Sequence, residues 1–370
     1  MNLILRIIPY LLVSFIISFA LTPLVKKIGF ASNVYAVENK RTVHHGKIVR
    51  IGGLGIYIAF LIGMAIFVKA DKTFNAIMIG GLVVFLGGLI DDIYDLKPMV
   101  KMAFQIVGAL IVVLMGDVQL DAINFSFIHL NFSPIAFIVT MFWIVGVTNA
   151  INLIDGLDGL SSGITVIVLC VTGLIAYFMK RIDVSTVALI LIGAIMGFLP
   201  YNFHPASIFV GDCGALFMGF MLACLSLLGF KTSTFITLGF PIIILFVPLA
   251  DTSLAIIRRK AKGQKVTDAD RSHLHHILMY RLGLSHRNSV LLLYGITALF
   301  GSCAILTFFH EKAGLIMLII LCIISWLFVE LTGMIKPTFH PLIGLFRKIT
   351  GHPRKSDDAF FEANRINHKE

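Results

Sequence analysis

Charged residues are scarce in this sequence. Only 14% of its 370 residues are Asp, Glu, Lys or Arg, whereas 58% are hydrophobic, and the mean hydropathy is +0.94. Since soluble proteins carry about 25% charged residues, the composition excludes an ordinary soluble domain and predicts a chain surrounded by lipid. The five cysteines lie in or beside apolar runs. None has metal-ligand spacing, which argues against a zinc framework or an extracellular disulfide scaffold.

The apolar residues form runs that approach the roughly 20 residues needed to span a bilayer. The first run has no Ala-x-Ala-like cleavage site, so we expect it to remain as a span. The predicted fold is an all-α polytopic membrane protein with about 11 transmembrane helices. One catalytic domain is expected over residues 1–335, followed by a polar cytoplasmic tail over 336–370. The runs are about 3–25, 51–69, 75–90, 99–116, 134–151, 161–179, 184–200, 207–228, 234–256, 289–309 and 314–335.

Basic residues are divided unevenly between the two sets of loops that these runs define. Of the 30 Lys and Arg residues, 23 fall in the loops 26–50, 91–101 and 257–288 and in the tail, six fall on the other side, and Arg6 lies in the first run. Lys and Arg collect in cytoplasmic loops, so we expect the N-terminus outside and the C-terminus inside. The same bias explains a pI near 9.4 without a nucleic-acid partner.

Aspartates collect at the same predicted cytoplasmic ends. An Asp at the centre of a spanning helix costs about 2.5–3.5 kcal/mol, and several carboxylates gathered together also repel one another. A bound cation is the simplest partner that makes such a cluster tolerable. The seven residues are Asp91, Asp92, Asp95, Asp155, Asp158, Asp212 and Asp251.

Two of the acidic motifs lie at predicted helix ends. Asp91-Asp92-Ile93-Tyr94-Asp95 closes an apolar run, and a continuing helix would put Asp91 and Asp95 on one face. Mg²⁺ binds one or two carboxylates together with substrate phosphate oxygens, which suits this motif. Asp212 stands near glycines at the start of another run, either as a metal ligand or as an N-cap. Capping acids at a solvated helix end are the alternative for both motifs.

The stretch 149–159 repeats a polar residue at every third position and so predicts a stripe along one side of a helix end. Its amides and carboxylates can bind sugar hydroxyls, a base edge or metal-bound water. Its two glycines end the helix and let a ligand approach the backbone, although a plain interfacial turn would have the same composition. The polar residues are Asn149, Asn152, Asp155 and Asp158.

Histidines occur in two basic loops. His273-Leu274-His275-His276 could bind zinc, but nothing nearby completes a closed site of four ligands. Alternatively the rings donate hydrogen bonds to a pyrophosphate, with His273 and His276 on one helix face and His275 pointing elsewhere.

The other loop, 41–53, contains His44, Lys47 and the pair Gly52-Gly53. It could cradle a phosphate, or it could be only a positively charged cytoplasmic loop. The run Arg258-Arg259-Lys260 is most simply a topology signal or a patch for anionic lipid.

Taken together, the motifs resemble those of the bacterial polyprenyl-phosphate N-acetylhexosamine-1-phosphate transferase family. They are most similar to the undecaprenyl-phosphate GlcNAc-1-phosphate transferases that start teichoic acid or other wall glycans. The resemblance runs from about His44 to His276 and includes DDxxD, NxxNxxDGxDG, GDxG, PxxDT at Pro248–Thr252, and HxHH. The last two motifs favour the GlcNAc branch over phospho-MurNAc-pentapeptide transferases. The family usually has Pro before Arg-x-Gly-Gly, where this chain has Val49.

This resemblance implies transfer of GlcNAc-1-phosphate from UDP-GlcNAc to undecaprenyl phosphate, with Mg²⁺ as cofactor and Mn²⁺ as its substitute. It implies catalytic roles for Asp91 and Asp92, with Asp91 as the base, and a metal site at Asp212 and Asp92. The exact sugar, the downstream glycan, a covalent route and a homodimer are left open. The implied substrate-binding residues are His44, Lys47, Lys101, Asn149, Asn152, Asp155, Asp158, Asp251, His273, His275 and His276.

Other classes fit the pattern less well. An ion-coupled secondary transporter would place its acids near the bilayer midplane at broken helices, whereas these acids crowd one side. A CDP-alcohol phosphotransferase would need a DGxxAR-type array, which the sequence lacks. A phospho-MurNAc-pentapeptide transferase is the alternative within the same superfamily. The expected partners are therefore the two substrates and membrane lipid, and no nucleic acid.

Overall fold

The computed structural model describes residues 3–36, 47–69, 71–120, 122–125, 128–131, 135–230, 239–261, 263, 273–332, 334 and 341–343. In this part of the chain the fold is helical apart from two short hairpins. The helices are α1 Leu3–Ala31, α2 Gly53–Phe67, α3 Lys72–Tyr94, α4 Pro98–Gly116, α5 Ala136–Ile154, α6 Leu160–Phe178, α7 Ile182–Asn202, α8 Gly211–Phe230, α9 Gly239–Ile244, α10 Phe246–Ala261, α11 Leu274–Tyr280, α12 His286–Phe309 and α13 Glu311–Leu331. The antiparallel hairpins are β1 Tyr35–Ala36 with β2 Ile48–Val49, and β3 Ala122–Phe125 with β4 Ile128–Asn131.

Nine of the described helices are long and apolar enough to cross a membrane: α1, α3 to α8, α12 and α13. This confirms the predicted all-α polytopic class. The two remaining predicted runs correspond to the shorter apolar helix α2 and to α9 and α10, which are separated at Leu245. Helix α1 continues to Ala31, beyond the predicted end at residue 25, so Lys26 and Lys27 lie on the helix.

Helix α8 forms the centre of the bundle. In an apolar stretch of 18 residues within α8, 89% of the residues are buried, whereas in the corresponding stretches of α1 and α13 only 17% are buried. Close approach at its first turn depends on glycine, since a Cβ on Gly53 or on Gly214 would collide with the backbone of the other. Small residues at such crossings let helix backbones approach one another closely. The first turn of α8, which carries Asp212, is thereby held against α2.

The helices define two ends of the bundle. At one end, which we call the cavity end, α3, α5 and α7 finish and α4, α6, α8 and α12 begin. At the opposite end, Thr73 Oγ1 donates to Gly116 O at 3.0 Å and Arg181 Nη1 donates to Leu228 O at 2.6 Å. These contacts join the start of α3 to the end of α4, and the start of α7 to the end of α8.

The basic run at the end of α10 is partly inside the protein. Arg258 and Arg259 are buried, and Arg258 Nη1 donates to Met334 O at 3.4 Å. Lys260 alone among the three is exposed. Two of the three cations therefore pack within the fold. Of this run, only Lys260 is exposed enough to contact anionic lipid headgroups.

Candidate active site

A cavity of about 630 Å³ opens at the cavity end. It gathers residues from the end of α3, the turn after α5, the loop after α7, the start of α8, α11 and α12. Seven of the predicted site residues line it, together with Arg50, His204 and His286, which the prediction of the site did not include. The seven are Asp91, Asp92, Asp155, Asp158, Asp212, His275 and His276.

Lys101 links two of the carboxylates. Its Nζ lies 2.9 Å from Asp91 Oδ2 and forms an ion pair with Asp212 Oδ2. Asn152 Nδ2 donates to Asp212 Oδ1 at 2.9 Å, so both oxygens of Asp212 are held by side chains from other helices. The predicted metal ligand and the predicted base therefore lie on either side of one ammonium group.

Asp92 fastens the first turn of α8. Its Oδ1 accepts the N–H of Asp212 and its Oδ2 accepts the N–H of Cys213, each at 3.0 Å. A carboxylate at a helix N-terminus satisfies unpaired N–H groups and is favoured by the helix dipole. The structure therefore gives Asp92 a capping role across two helices, while its metal-binding and catalytic roles stay predictions.

Asp95 does not share a face with Asp91, contrary to the expectation for a continuing helix. Helix α3 ends at Tyr94, and Asp95 takes a left-handed conformation with φ of 49°. Its carboxylate is 81% exposed and pairs with Arg50 Nη2 at 2.5 Å. Arg50 also donates from Nε to Asp92 O at 2.8 Å, so it holds the end of α3.

The loop 41–53 has fewer free hydrogen-bond donors for a phosphate than the pair Gly52-Gly53 suggests. The N–H groups of Gly52 and Gly53 donate to Phe209 O at 2.9 Å and Val210 O at 2.8 Å. Lys47 lies over the Tyr35 ring, 4.5 Å from its centroid, and does not line the cavity. His44 lies outside the described residues.

The acids of the turn between α5 and α6 have different surroundings. Asp155 Oδ1 accepts the hydroxyl of Ser161 at 2.5 Å. Loss of hydration raises the pKa of Asp155 to about 7, and the charges of Asp212 and Asp158 act in the same direction. Asp158 Oδ2 lies 2.7 Å from His204 Nδ1 and accepts the N–H of Ala206 at 3.1 Å.

Asn149 lies about one helical turn before Asn152 on α5, and neither amide lines the cavity. Its Nδ2 donates to Gln105 Oε1 at 2.5 Å and to Val145 O at 2.8 Å. The amide is thus used between α4 and α5, and its predicted contact with substrate has no counterpart in the cavity lining.

Asp251 supports the histidine motif. Its Oδ1 accepts the N–H of Leu274 at 2.8 Å, and its Oδ2 lies 2.9 Å from His273 Nδ1. His273 precedes α11 as its N-cap and faces Asp251. The prediction that His273 and His276 share a face is therefore wrong, because His273 is not yet on the helix.

His275 and His276 are the members of this motif that line the cavity. Burial, assisted by the neighbouring imidazoles, lowers the pKa of His275 to about 3. The ring is therefore neutral near pH 7 and has a single N–H to donate. A Cβ on Gly156 would collide with this ring, so the glycine lets the turn after α5 lie against it.

Two further histidines join the Asp158 turn. The rings of His204 and His286 are stacked with centroids 4.1 Å apart, and His286 Nε2 accepts the N–H of Asp158 at 2.9 Å. Potential ligand atoms of these three residues lie within 4.8 Å of one another. Both histidines already hydrogen-bond to Asp158, His204 through Nδ1 and His286 through Nε2, while His286 Nδ1 is buried without a hydrogen-bond partner among the described residues. Neither histidine belongs to a motif, and only their closeness in sequence to Asp212 and His276 could have indicated them.

The charges around the cavity do not balance. Even with Asp155 protonated, four carboxylates line it, whereas Arg50 is the one Lys or Arg of the described lining, with Lys101 reaching two of the acids. A substrate phosphate would add further negative charge. A hard divalent cation bound by carboxylate oxygens would offset this excess.

The sequence matches a family model described as glycosyl transferase family 4 over residues 74–230. A probable undecaprenyl-phosphate N-acetylglucosaminyl 1-phosphate transferase of Bacillus subtilis (strain 168) is 37% identical, covering 93% of this chain and 97% of the relative. The chain belongs to the polyprenyl-phosphate N-acetylhexosamine-1-phosphate transferase family. The resemblance indicated by the motifs is thereby confirmed.

More distant members of this transferase family also align over most of the chain. A decaprenyl-phosphate N-acetylglucosaminephosphotransferase of Mycobacterium leprae (strain TN) is 32% identical, covering 82% of this chain and 84% of the relative. An undecaprenyl-phosphate alpha-N-acetylglucosaminyl 1-phosphate transferase of Escherichia coli (strain K12) is 26% identical, covering 82% and 83%. The family match at 74–230 contains Asp91, Asp92, Asp155, Asp158 and Asp212.

Proposed function

We propose that this transferase moves GlcNAc-1-phosphate from UDP-GlcNAc to undecaprenyl phosphate, giving undecaprenyl-PP-GlcNAc and UMP. This would be the first membrane step of wall teichoic acid or another envelope glycan. The observation that carries the proposal is the convergence of five motif carboxylates in one cavity of a membrane-spanning bundle. Relatives named for GlcNAc-1-phosphate transfer to polyprenyl phosphates support it.

The donor set fits Mg²⁺, or Mn²⁺ in its place. Carboxylate oxygens of Asp91 and Asp212 already converge on a cation, the ammonium of Lys101, and carboxylate oxygens are the protein ligands that Mg²⁺ prefers. Asp212 would hold the ion, and Asp92, the second predicted ligand, supports the Asp212 backbone from behind. When bound, the ion would neutralise charge on the donor's phosphates.

The residues of the chain then need only align the reactants, since phosphoryl transfer depends mainly on positioning and charge neutralisation. An oxygen of the lipid phosphate attacks the phosphorus that carries the sugar, and the bond from that phosphorus to UMP breaks. Asp91 takes the remaining proton of the lipid phosphate, whose second pKa is near 6. Lys101, 2.9 Å from Asp91, attracts that phosphate to the base.

The histidine helix would hold the donor. His275 and His276 line the cavity and donate hydrogen bonds to the pyrophosphate. The turn carrying Asp155 and Asp158 lines the cavity and positions the rest of UDP-GlcNAc. Asn152, which does not line the cavity, orients Asp212 by a hydrogen bond.

Turnover by purified protein tests the proposal. We expect UMP release only when UDP-GlcNAc, undecaprenyl phosphate and Mg²⁺ are all present, and loss of activity in EDTA. A panel of UDP-sugars separates the alternatives within the superfamily, because a phospho-MurNAc-pentapeptide transferase would use UDP-MurNAc-pentapeptide instead. Binding of UDP-GlcNAc without any lipid-dependent UMP release would contradict transferase activity and favour a transporter.

We also propose that the protein resides in a bacterial cell membrane with the cavity end facing the cytoplasm, as the excess of basic residues there indicates. Single cysteines would be placed at the exposed positions Lys47 and Lys260 at that end and Lys180 at the other. The exposed Cys170 and Cys322 would first be replaced. An impermeant thiol reagent applied to intact cells should label position 180 alone. Labelling at 47 and 260 would reverse the orientation.

A further inference from the structure

Helix α12 lies against the turn between α5 and α6 at two points. His286 Nε2 accepts the N–H of Asp158 at 2.9 Å, and the Tyr294 hydroxyl donates to Gly159 O at 2.5 Å. These bonds engage the N–H of one residue of the turn and the C=O of the next residue. His286 and Tyr294 lie eight residues apart on the helix, so both can face the same side.

Backbone conformation and close packing around these bonds restrict the turn to few conformations. Gly159 has a φ of 77°, in the left-handed region that favours glycine. A Cβ on Gly163 would collide with the ring and hydroxyl of Tyr294. The side chain of His286 is only 9% exposed, so its acceptor atom is directed to the turn and not to bulk water.

The side chain of Asp158 is held by a separate element. His204 Nδ1 lies 2.7 Å from Asp158 Oδ2, and the His204 ring stacks on His286. The loop after α7 and helix α12 thus grip the same residue, one through its carboxylate and the other through its backbone N–H.

We propose that His286 and Tyr294 are positioning residues that set the turn 155–159 for binding of the nucleotide-sugar donor. The proposal rests on the proposed function, because it gives the turn a donor to bind. Neither residue needs to touch the donor or the reacting atoms. Their effect is transmitted through Asp158 and Gly159, which they fix against the cavity.

Two substitutions of His286 separate its hydrogen bond from its ring. His286→Phe keeps a ring against His204 but removes the acceptor, whereas His286→Gln removes the ring and keeps an acceptor of similar reach. Tyr294→Phe removes the second bond without changing the ring. Matched controls are His310→Phe, at the exposed far end of α12, and Tyr177→Phe, at the opposite end of α6.

Hydrogen–deuterium exchange of the full-length protein in nanodiscs measures the turn without relying on catalysis. We expect His286→Phe and Tyr294→Phe to speed exchange over residues 155–163, and His286→Gln to restore wild-type protection. The KM for UDP-GlcNAc should rise about two- to tenfold in the two Phe variants, as expected for one lost hydrogen bond. The KM for undecaprenyl phosphate should not change in these variants. In both control variants the exchange rates and both KM values should equal those of the wild type.

Several outcomes would contradict the proposed positioning role of His286 and Tyr294. Unchanged exchange in His286→Phe would do so, as would equal effects of Phe and Gln. A fall in kcat through loss of active protein, with the KM for the donor unchanged, would indicate general destabilisation instead. If wild-type protein released no UMP, the proposed function would fail, and the exchange results would still decide whether α12 holds the turn.

Discussion

The acids at the two ends of the bundle are satisfied in different ways. At the opposite end, Asp71 accepts the N–H of Phe74 at 2.6 Å, and Asp183 pairs with Arg181 through both oxygens at 3.1 and 2.8 Å. Each of these partners lies two or three residues away in sequence. At the cavity end, Asp212 is held by Asn152 and Lys101, from 60 and 111 residues away.

This difference separates acids that end a helix from acids that form a site. A local cap stabilises its own helix by about 0.5–2 kcal/mol and needs nothing from the rest of the fold. The carboxylates at the cavity end exceed the cations around them and are brought together by several helices. Because this excess of negative charge is unfavourable without compensation, it supports the proposal that a divalent cation binds there.

Replacing one carboxylate at each end is the strongest test of this difference. Asp212→Asn keeps the shape but removes the charge, and leaves the ammonium of Lys101 partly uncompensated. Since Asp212 is the proposed ligand of the ion, we expect turnover to fall at least about 10²-fold, which corresponds to roughly 3 kcal/mol or more of lost transition-state stabilisation. Asp183→Asn is the matched control and should keep turnover within about twofold, since exposed pairs contribute little. Near-normal turnover in Asp212→Asn would make that residue only a helix-end acid.

Lys101→Gln extends this test by removing the ammonium group that pairs with Asp91 and Asp212. We expect turnover to fall about a hundredfold, because the ammonium that attracts the lipid phosphate to Asp91 is lost. Metal binding should tighten about tenfold at the same time, since the ammonium competes with the ion for Asp91 and Asp212. A Mn²⁺ titration checks this, and weaker binding in the variant would contradict competition.

The histidines that line the cavity should matter less than the carboxylates. His275→Ala and His276→Ala each remove one hydrogen bond to a charged group, worth about 1.5–3 kcal/mol. Turnover should therefore fall ten- to a hundredfold, by about the amount that this energy implies. Metal content should stay the same, and His310→Ala at the opposite end should have no effect. Stoichiometric zinc that disappears in the two variants would overturn the assignment to pyrophosphate.

The smallest effect is a pH dependence of stability from His275. Its pKa is lowered from 6.5 to about 3 in the folded state. Below pH 6.5 the unfolded chain therefore binds a proton that the folded protein does not, and stability falls as the pH falls. Between pH 7.5 and 5.5 the wild type should lose about 1 kcal/mol more than His275→Asn. Thermal melting without ligands measures the difference, and parallel curves would contradict it.

Hydropathy was enough to predict the helical bundle, and the motifs predicted seven of the residues that line its cavity. Each apolar run has a helical counterpart because the bilayer requires the backbone to be satisfied within the segment. The prediction for Asp95 differs from the structure because a left-handed C-cap, and not the apolar pattern, ends α3. His204 and His286 were missed because their roles come from tertiary stacking between α12 and the loop after α7, which has no periodicity to detect.

Binding of Mn²⁺ measured by electron paramagnetic resonance tests most directly whether the cavity end holds a divalent cation. Wild-type protein, Asp212→Asn and Asp183→Asn would be titrated in detergent with UDP-GlcNAc present. We predict one tight ion per chain in the wild type and in Asp183→Asn, and its loss in Asp212→Asn. No tight ion in the wild type, or equal binding by all three proteins, would contradict the proposal that these carboxylates converge to hold a metal.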